Sequence, residues 1–213
     1  MLKVGLTGGL ATGKTHVAGV LAGLGCHVLS ADEIGHQVLL PGGEAYDDVR
    51  KEFGPQILGA DGRIDRRLLA TQVFEHPERL EKLNLLVHPH VIRREELWLA
   101  QIRAAEPRAI AVIEAAILIE TGSYKRFDRL ILTVCSPEVQ VRRHMERSGE
   151  SEAETRARLA RQMPLEAKRR YADYVIDTSG SREDTGRQVR EVFRQLSALA
   201  QPPGPARFAQ EAL

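Results

Sequence analysis

Five runs of apolar residues recur along the chain, and segments with helical periodicity separate most of them. The runs are continuous rather than alternating, which is typical of parallel strands covered on both faces. They predict an α/β fold in which a doubly wound parallel sheet carries helices on both sides. The predicted strands are Leu2–Thr7, His27–Ser30, Ala109–Glu114, Leu130–Cys135 and Tyr174–Asp177, and the clearest helices between and after them are Lys14–Leu24, Pro137–Arg147 and Arg182–Leu199.

The segment behind the first predicted strand matches the phosphate-binding pattern G-x-x-x-x-G-K-[ST]. Its glycines let the backbone approach phosphate oxygens, and the N–H groups of the loop and the following helix point at the anion. Lys14 is expected to reach the β- and γ-phosphates, and the Thr15 hydroxyl is expected to ligate Mg²⁺. The predicted ATP-binding residues are Gly9, Leu10, Ala11, Thr12, Gly13, Lys14, Thr15, His16 and Arg142.

The alternation of strand and helix stops between residues 31 and 105, where helical periodicity prevails. We interpret this interval as a mostly helical insert that builds the site of a second substrate. The arginine-rich segment 142–170 is interpreted as a lid over the phosphates, and the alternative is a solvated helix pair. Residues 201–213 are expected to be a disordered tail. The nucleotide-binding core is then predicted to comprise residues 1–30, 106–141 and 171–200.

Composition and charge bear mainly on the partners and the location of the protein. The chain has 30 Lys and Arg against 29 Asp and Glu, so its net charge of +1 favours neither nucleic acid nor a membrane as partner. Cys26 and Cys135 lack metal-ligand spacing and are expected to be reduced thiols. No apolar run is long enough to cross a bilayer, and the N-terminus lacks the layout of a signal peptide. We expect a cytoplasmic protein that is a monomer or a weak homo-oligomer.

A phosphate-binding loop alone is compatible with a GTPase switch, a motor ATPase, a small-molecule kinase or a regulatory nucleotide-binding module. The guanine-specificity pattern N-K-x-D does not occur, and the D-x-x-G match at residues 32–35 comes too early in the chain. A motor ATPase could use Glu114 as a magnesium-side carboxylate, but no partner arginine motif is evident. A small-molecule kinase needs an acceptor carboxylate, an acceptor pocket and a lid, and the chain has candidates for all three.

Several separated segments resemble the dephospho-CoA kinase family, and the similarity covers about residues 2–199. The resemblance implies a kinase that uses ATP and Mg²⁺ to phosphorylate the 3′-hydroxyl of dephospho-CoA, an alcohol group, giving CoA and ADP. A kinase for another small metabolite is the nearest alternative. The segments that carry the resemblance are Gly5–Gly9, Ala31-Asp32 with Pro41-Gly42, Ile64-Asp65-Arg66, Val73-Phe74, Leu83-Asn84, His88-Pro89, Gln140, Arg147, Gln162, Lys168 and Ala172–Ile176.

The same resemblance implies roles for individual residues. Asp32 matches the family's catalytic carboxylate, which accepts or orients the proton of the acceptor hydroxyl; the alternative is that it caps the next helix. Lys14 and Arg147 are the other predicted catalytic residues. Such an arginine can contribute about 10³–10⁵ in rate. Arg142 could instead belong to a surface ion pair, worth less than about 1 kcal/mol.

Acceptor binding is assigned to Asp32, Arg66 and His88. The alternative for His88-Pro89 is the first turn of a helix, a position that proline favours. The chain also departs from the family pattern, and three of these departures concern other residues near the predicted site. Glu114 stands where an Asp is usual after the third strand, so its role toward Mg²⁺ is open. Ser30 replaces a common Asp, and His36 replaces a common Arg.

Overall fold

The computed structural model describes residues 1–74 and 76–200, so the predicted tail at 201–213 lies outside the described residues. The chain divides into two compact units. The first unit comprises Met1–Val28 together with the chain from Ile102 onward, and the second comprises Leu29–Gln101.

A five-stranded sheet forms the centre of the first unit, with strand order β2-β3-β1-β4-β5. β1 pairs in parallel with both β3 and β4, and β4 pairs in parallel with β5. The doubly wound parallel sheet is therefore confirmed. Each strand lies within one residue of its predicted bounds, because the central strands are buried and read as uninterrupted apolar runs. The strands are β1 Leu2–Gly8, β2 His27–Ser30, β3 Ile110–Glu114, β4 Arg129–Val134 and β5 Tyr174–Asp177.

Helices connect the strands and make up most of the second unit. Short 3₁₀ turns occur at Pro55–Ile57 and Ser123–Arg126. The described α-helices are, in chain order, α1 Lys14–Gly23, α2 Ala31–Gln37, α3 Tyr46–Phe53, α4 Arg66–Phe74, α5 Pro77–Ala105, α6 Pro137–Ser148, α7 Glu152–Ala160, α8 Leu165–Arg169 and α9 Arg182–Ala200.

The core of the first unit lies between the sheet and helices α1 and α9. Val4 and Leu6 of β1 are fully buried in this core. Their burial fixes the position of the strand and therefore of the loop that follows it. The cluster consists of Val4, Leu6, Val17, Ala18, Leu21, Cys26, Ile110, Val112, Ile131, Ile176, Val189, Val192 and Leu196.

The second unit has a core of its own, built from helices α2 to α5 and one isolated antiparallel bridge between Leu58 and Ile64. Arg94 of α5 forms a bidentate ion pair with Glu44 within this unit, with Nε 2.8 Å from Oε1 and Nη2 2.6 Å from Oε2. The buried cluster consists of Ile34, Val38, Ala45, Tyr46, Val49, Phe53, Ile57, Ile64, Leu69, Val73, Val87 and Val91.

Pro89 lies inside α5, a helix of 29 residues. The alternative in which His88-Pro89 begins a helix is therefore wrong. A proline in a helix interior cannot donate to the carbonyl four residues earlier, here that of Leu85, at a cost of about 3 kcal/mol. The helix continues because Val87 and Val91, on either side, are both buried in the core of the second unit.

No helix within residues 1–74 and 76–200 combines the length and the apolar character needed to cross a membrane.

Candidate active site

Threonine side chains fasten the phosphate-binding loop to the sheet. The Thr12 hydroxyl donates to the Gly9 carbonyl at 3.0 Å and lies 2.8 Å from the Thr133 hydroxyl on β4. Thr178, just after β5, donates to the Thr12 carbonyl at 2.9 Å. A Cβ added at Gly8 would lie 2.2 Å from Thr133 Oγ1. The loop therefore needs glycine at that position.

The start of α1 is open to an anion. Gly13 occupies the N-cap position with φ of 78°, and no side chain caps the helix. The first N–H groups of a helix have no partner within it, and they attract negative charge. Ala11 has φ of 54°, the one positive value outside glycine in the part of the chain that the structure describes. Lys14 Nζ donates to the Gly9 carbonyl at 3.1 Å, across the loop.

Thr15, the predicted magnesium ligand, and Glu114, whose role toward Mg²⁺ the sequence left open, meet at this opening. The Thr15 hydroxyl donates to Glu114 Oε1 at 3.0 Å, and Glu114, at the end of β3, is 8% exposed. Mg²⁺ in nucleotide sites is held by one or two protein oxygens, substrate phosphates and waters. The two side chains fit that requirement. Across residues 1–74 and 76–200 there is no cluster of three or more His, Cys, Asp or Glu residues that could hold a metal by itself.

His16 lies in the first turn of α1, directly after Thr15. Its Nε2 is buried and has no hydrogen-bond partner among the described residues. The sequence prediction for His16 concerned its place beside the loop, and nothing in the pattern indicated this unsatisfied nitrogen.

The outer side of the loop is held by two glutamine side chains. Gln140 of α6 donates through Nε2 to the Leu10 carbonyl at 2.7 Å. Gln162, between α7 and α8, accepts from the Leu10 N–H through Oε1 at 2.8 Å. Lys168 of α8 is fully buried, with its Nζ 2.6 Å from Glu120 Oε1 and 3.4 Å from the Gly8 carbonyl.

A cleft of about 640 Å³ opens beside these contacts. This volume falls in the range of small-molecule sites, about 300–1,000 Å³. Its wall is mostly apolar, with the loop on one side and the turn after β5 on another. The residues that line it include Gly9, Cys135, Pro137, Gln140, Leu159, Met163, Pro164, Leu165, Asp177 and Ser179.

The arginines of α6 point in different directions. Arg142 is 65% exposed and lies 4.0 Å from Glu146, the surface ion pair that the sequence allowed. Arg143 donates to the Thr178 hydroxyl at 3.1 Å and to its carbonyl at 2.7 Å. Sequence reasoning missed Arg143, although its neighbours Gln140 and His144 indicate the buried face of α6. Arg147 is exposed near the end of the helix and has no ion pair among the described residues.

Cys135 lies under the loop, with its Sγ 3.9 Å from the Ala11 carbonyl. Burial raises the pKa of this thiol above its ordinary value, and the nearby Arg143 opposes that shift. A thiol with a raised pKa is protonated and a poor nucleophile at neutral pH. Cys135 is thus a packing residue of the site.

Within the second unit, Asp32 lies in the first turn of α2 and is exposed. The cap of this helix is Ser30, whose hydroxyl accepts from the Glu33 N–H at 3.3 Å. The alternative in which Asp32 caps the helix is therefore wrong. Ser30, which departs from the family pattern, therefore caps α2, and the Asp32 carboxylate is not used for capping.

Arg66 and His36 lie together in the second unit, with Arg66 Nη1 3.5 Å from His36 Nδ1. Partial burial lowers the pKa of His36, and the charge of Arg66 lowers it further, while Asp32 and Glu33 oppose these effects. His88, the third predicted acceptor residue, is half-buried on α5, and burial lowers its pKa. It lines a shallow groove with Asn84 and Pro89.

Comparison with known proteins identifies the relatives of this chain. The family model for dephospho-CoA kinase matches residues 2–184. A dephospho-CoA kinase of Geobacillus kaustophilus is 38% identical over 198 residues, which cover 93% of this chain and 98% of the relative. One from Aquifex aeolicus is 39% identical over 197 residues, covering 92% and 98%.

Two solved structures have the same fold over nearly the whole chain. The crystal structure of a Thermus thermophilus protein superposes with a TM-score of 0.79 at 35% identity and covers 92% of this chain and 97% of that one. Dephospho-CoA kinase from Campylobacter jejuni superposes with a TM-score of 0.66 at 26% identity, covering 93% and 98%.

Proposed function

The chain belongs to the dephospho-CoA kinase family, and from this premise we propose that it transfers the γ-phosphoryl group of ATP to the 3′-hydroxyl of dephospho-CoA. The observation that carries the proposal is the open start of α1 behind a strand-anchored phosphate-binding loop, with Thr15 and Glu114 paired beside it.

The phosphate-binding loop is proposed to bind ATP, the phosphoryl donor. Backbone N–H groups from Ala11 to Thr15 would cradle the phosphates, and Lys14 would move from the Gly9 carbonyl to a phosphate oxygen. The cleft beside Gly9 has the volume to take the nucleoside of ATP. His16, with a buried nitrogen that lacks a partner, is available to the nucleotide from the first turn of α1.

Mg²⁺ would be held by the Thr15 hydroxyl together with the phosphates, and Glu114 would hold a metal-bound water. Bound there, the ion neutralises charge on the β- and γ-phosphates. Glutamate in place of the usual aspartate has a longer side chain, and it reaches Thr15 directly at 3.0 Å. Within this chain, Thr15 and Glu114 therefore act as a pair.

On the acceptor side, Asp32 would accept a hydrogen bond from the attacking 3′-hydroxyl and take its proton as the new P–O bond forms and the bond from the γ-phosphorus to the departing ADP oxygen breaks. Phosphoryl transfer has a loose transition state, so orienting the nucleophile is the main requirement. Arg66 and His88 are proposed to bind the acceptor. Arg66 can pair with an acceptor phosphate, since a guanidinium matches phosphate oxygens in geometry and charge.

The arginines of α6 are proposed to have different roles. Arg143 would brace the turn after β5 against the nucleotide, through its bonds to Thr178. Arg147, exposed and without an ion pair among the described residues, is proposed to stabilise the charge that develops on the transferred group. In this proposal the segment 142–170 serves as the lid. Arg142 remains a predicted ATP-binding residue, which in this structure faces Glu146.

The test is release of ADP that depends on dephospho-CoA. The parent protein should turn over dephospho-CoA in the presence of ATP and Mg²⁺, and nucleoside monophosphates should be poor acceptors. Asp32→Asn should keep ATP affinity within about twofold and lose at least about 10²-fold in kcat, the usual contribution of a positioned proton acceptor. Glu33→Gln is the matched control, since Glu33 is also exposed and also lies in the first turn of α2.

Turnover of a nucleoside monophosphate without turnover of dephospho-CoA would refute the acceptor assignment. ATP binding without transfer to any acceptor would favour a regulatory module. Equal loss of kcat in the Asp32 and Glu33 variants would show that the charge of the helix start, rather than the Asp32 carboxylate, matters.

We further propose that the protein works in the cytoplasm as a monomer or weak homo-oligomer, without nucleic acid or a membrane as partner. The balanced charge of 30 basic and 29 acidic residues supports the part of this proposal that concerns nucleic acid and membranes. Cell fractionation tests the location and the absence of a membrane partner, and sedimentation at micromolar concentration, with and without added nucleic acid, tests the other two statements.

A further inference from the structure

The glycine-rich loop carries conformational strain that its own sequence does not relieve. Ala11 adopts φ of 54°, which lies in the left-handed region. A non-glycine residue in such a sparsely populated region costs on the order of 1 kcal/mol or more and persists only when its surroundings enforce it. Leu10 lies immediately before Ala11, so contacts that fix the Leu10 backbone help to enforce this conformation.

Leu10 is restrained on both of its backbone polar atoms. Gln140 donates to its carbonyl at 2.7 Å, and Gln162 accepts from its N–H at 2.8 Å. The two glutamines come from different segments, one from α6 and the other from the connection between α7 and α8. Both distances are short for hydrogen bonds that involve N–H donors. Leu10 is thus clamped from two sides.

The chain between Gln162 and Lys168 also packs against the two glycines that precede Leu10 in the loop. A Cβ added at Gly9 would lie 2.9 Å from Gln140 Nε2 and 3.2 Å from Leu165 Cδ2, so the wall touches the backbone of the loop. One residue earlier, the Gly8 carbonyl lies 3.4 Å from Lys168 Nζ, which Glu120 holds at 2.6 Å. Three successive loop residues are therefore supported by the chain between Gln162 and Lys168.

We propose that Gln162 is a positioning residue for nucleotide binding: by accepting from the Leu10 N–H, it holds the loop in the conformation that presents its other N–H groups to the phosphates. Gln140 completes the clamp, and the buried Lys168 fixes α8 behind it. The inference rests on the proposed function only in taking the loop as the nucleotide site, and it does not depend on the acceptor.

The test compares three variants by titration with MgADP in the absence of any acceptor. Gln162→Leu removes the acceptor oxygen, whereas Gln162→Glu keeps an oxygen at the same reach. Gln195→Leu is the matched control, because Gln195 donates a hydrogen bond of the same length, 2.8 Å, to Glu191 on the exposed face of α9. Thermal midpoints and the KM values for both substrates are measured in parallel.

We expect Gln162→Leu to raise the dissociation constant of MgADP about fivefold, the effect of one lost net hydrogen bond. Its thermal midpoint should match that of Gln195→Leu, and the KM for the acceptor should change less than twofold. Gln162→Glu should recover at least half of the loss in affinity, even though its added negative charge opposes phosphate binding. Gln162→Ser provides the same comparison if the leucine variant does not fold.

An unchanged affinity for MgADP in Gln162→Leu would overturn the proposal. So would equal weakening in the leucine and glutamate variants, since that outcome means that an acceptor oxygen at position 162 does not restore nucleotide binding. Failure of the acceptor assignment would appear differently, as absent turnover of dephospho-CoA by the parent protein with MgADP binding intact.

Discussion

The buried ion pair between Lys168 and Glu120 leads to an asymmetric prediction. Lys168 is fully buried, whereas the side chain of Glu120 is 26% exposed. Removing Glu120 leaves an ammonium group in the interior whose one remaining partner among the described residues is the Gly8 carbonyl, at 3.4 Å. Removing Lys168 leaves a carboxylate that water can reach. Breaking a buried pair costs about 3–5 kcal/mol when an uncompensated charge stays buried.

We therefore expect Glu120→Ala to lower the free energy of unfolding by about 3–5 kcal/mol, toward the full cost of a stranded charge. Lys168→Met keeps most of the side-chain volume and should cost about 1.5–3 kcal/mol, the net value of a hydrogen bond to a charged group. Adding Glu120→Ala to Lys168→Met should cost little more, because no buried charge then remains. Glu166→Ala, which breaks the exposed pair with Arg169 on the same helix, should cost less than about 1 kcal/mol.

Unfolding in urea can be monitored through the reactivity of Cys26 and Cys135. Because both cysteines belong to the first unit, this assay measures the stability of the unit that contains Lys168 and Glu120. Both thiols are buried in the first unit, and burial raises the pKa of Cys26 to about 11, so that neither reacts until the unit opens. The reasoning is refuted if Lys168→Met costs as much as Glu120→Ala. It is also refuted if the costs of the two substitutions simply add in the double variant.

Other predictions follow from single contacts. Thr15→Val should lower kcat at least about 10²-fold and raise the Mg²⁺ concentration for half-maximal rate, since it removes the metal ligand, whereas Thr15→Ser should retain most of the activity; equal rates in both variants would exclude the hydroxyl as a ligand. Gly8→Ala should lower both the thermal midpoint and ATP affinity, because its Cβ would lie 2.2 Å from Thr133 Oγ1, and an unchanged midpoint would mean that β4 yields. The lowered pKa of His88 means that the unfolded chain takes up a proton before the folded one does, so stability should fall as pH drops below 6.5; His88→Gln should flatten that part of the curve in urea titrations at successive pH values, and an unaltered slope would argue against it.

The strands and the loop could be predicted from the sequence because each depends on a local pattern. β3 is buried along its whole length, so its sequence is a continuous apolar run. The G-x-x-x-x-G-K-[ST] pattern likewise places Lys14 and Thr15 without reference to the rest of the chain. The pairing of Thr15 with Glu114 was not predicted, because the sequence left the role of Glu114 open; it depends on β3, which ends at Glu114, lying beside β1 in the sheet.

Other features depend on contacts for which the sequence carries no local signal. Lys168 and Glu120 are 48 positions apart, and neither residue type predicts burial. Adjacent arginines on a helix point about 100° apart, so the choice between Arg142 and Arg143 depends on which face α6 buries. Pro89 contradicts the usual preference of proline for helix starts, because the burial of its flanking turns outweighs the lost hydrogen bond.

The hydroxyl network beneath the phosphate-binding loop has a consequence for the pH dependence of the enzyme. Thr12, Thr133 and Thr178 join the loop to β4 and to the turn after β5, and none of these groups gains or loses a proton in the range where the protein is folded. The protonation state of this anchorage thus does not change as the pH passes through neutrality. The rate profile near neutrality can therefore be interpreted without a contribution from these three threonines.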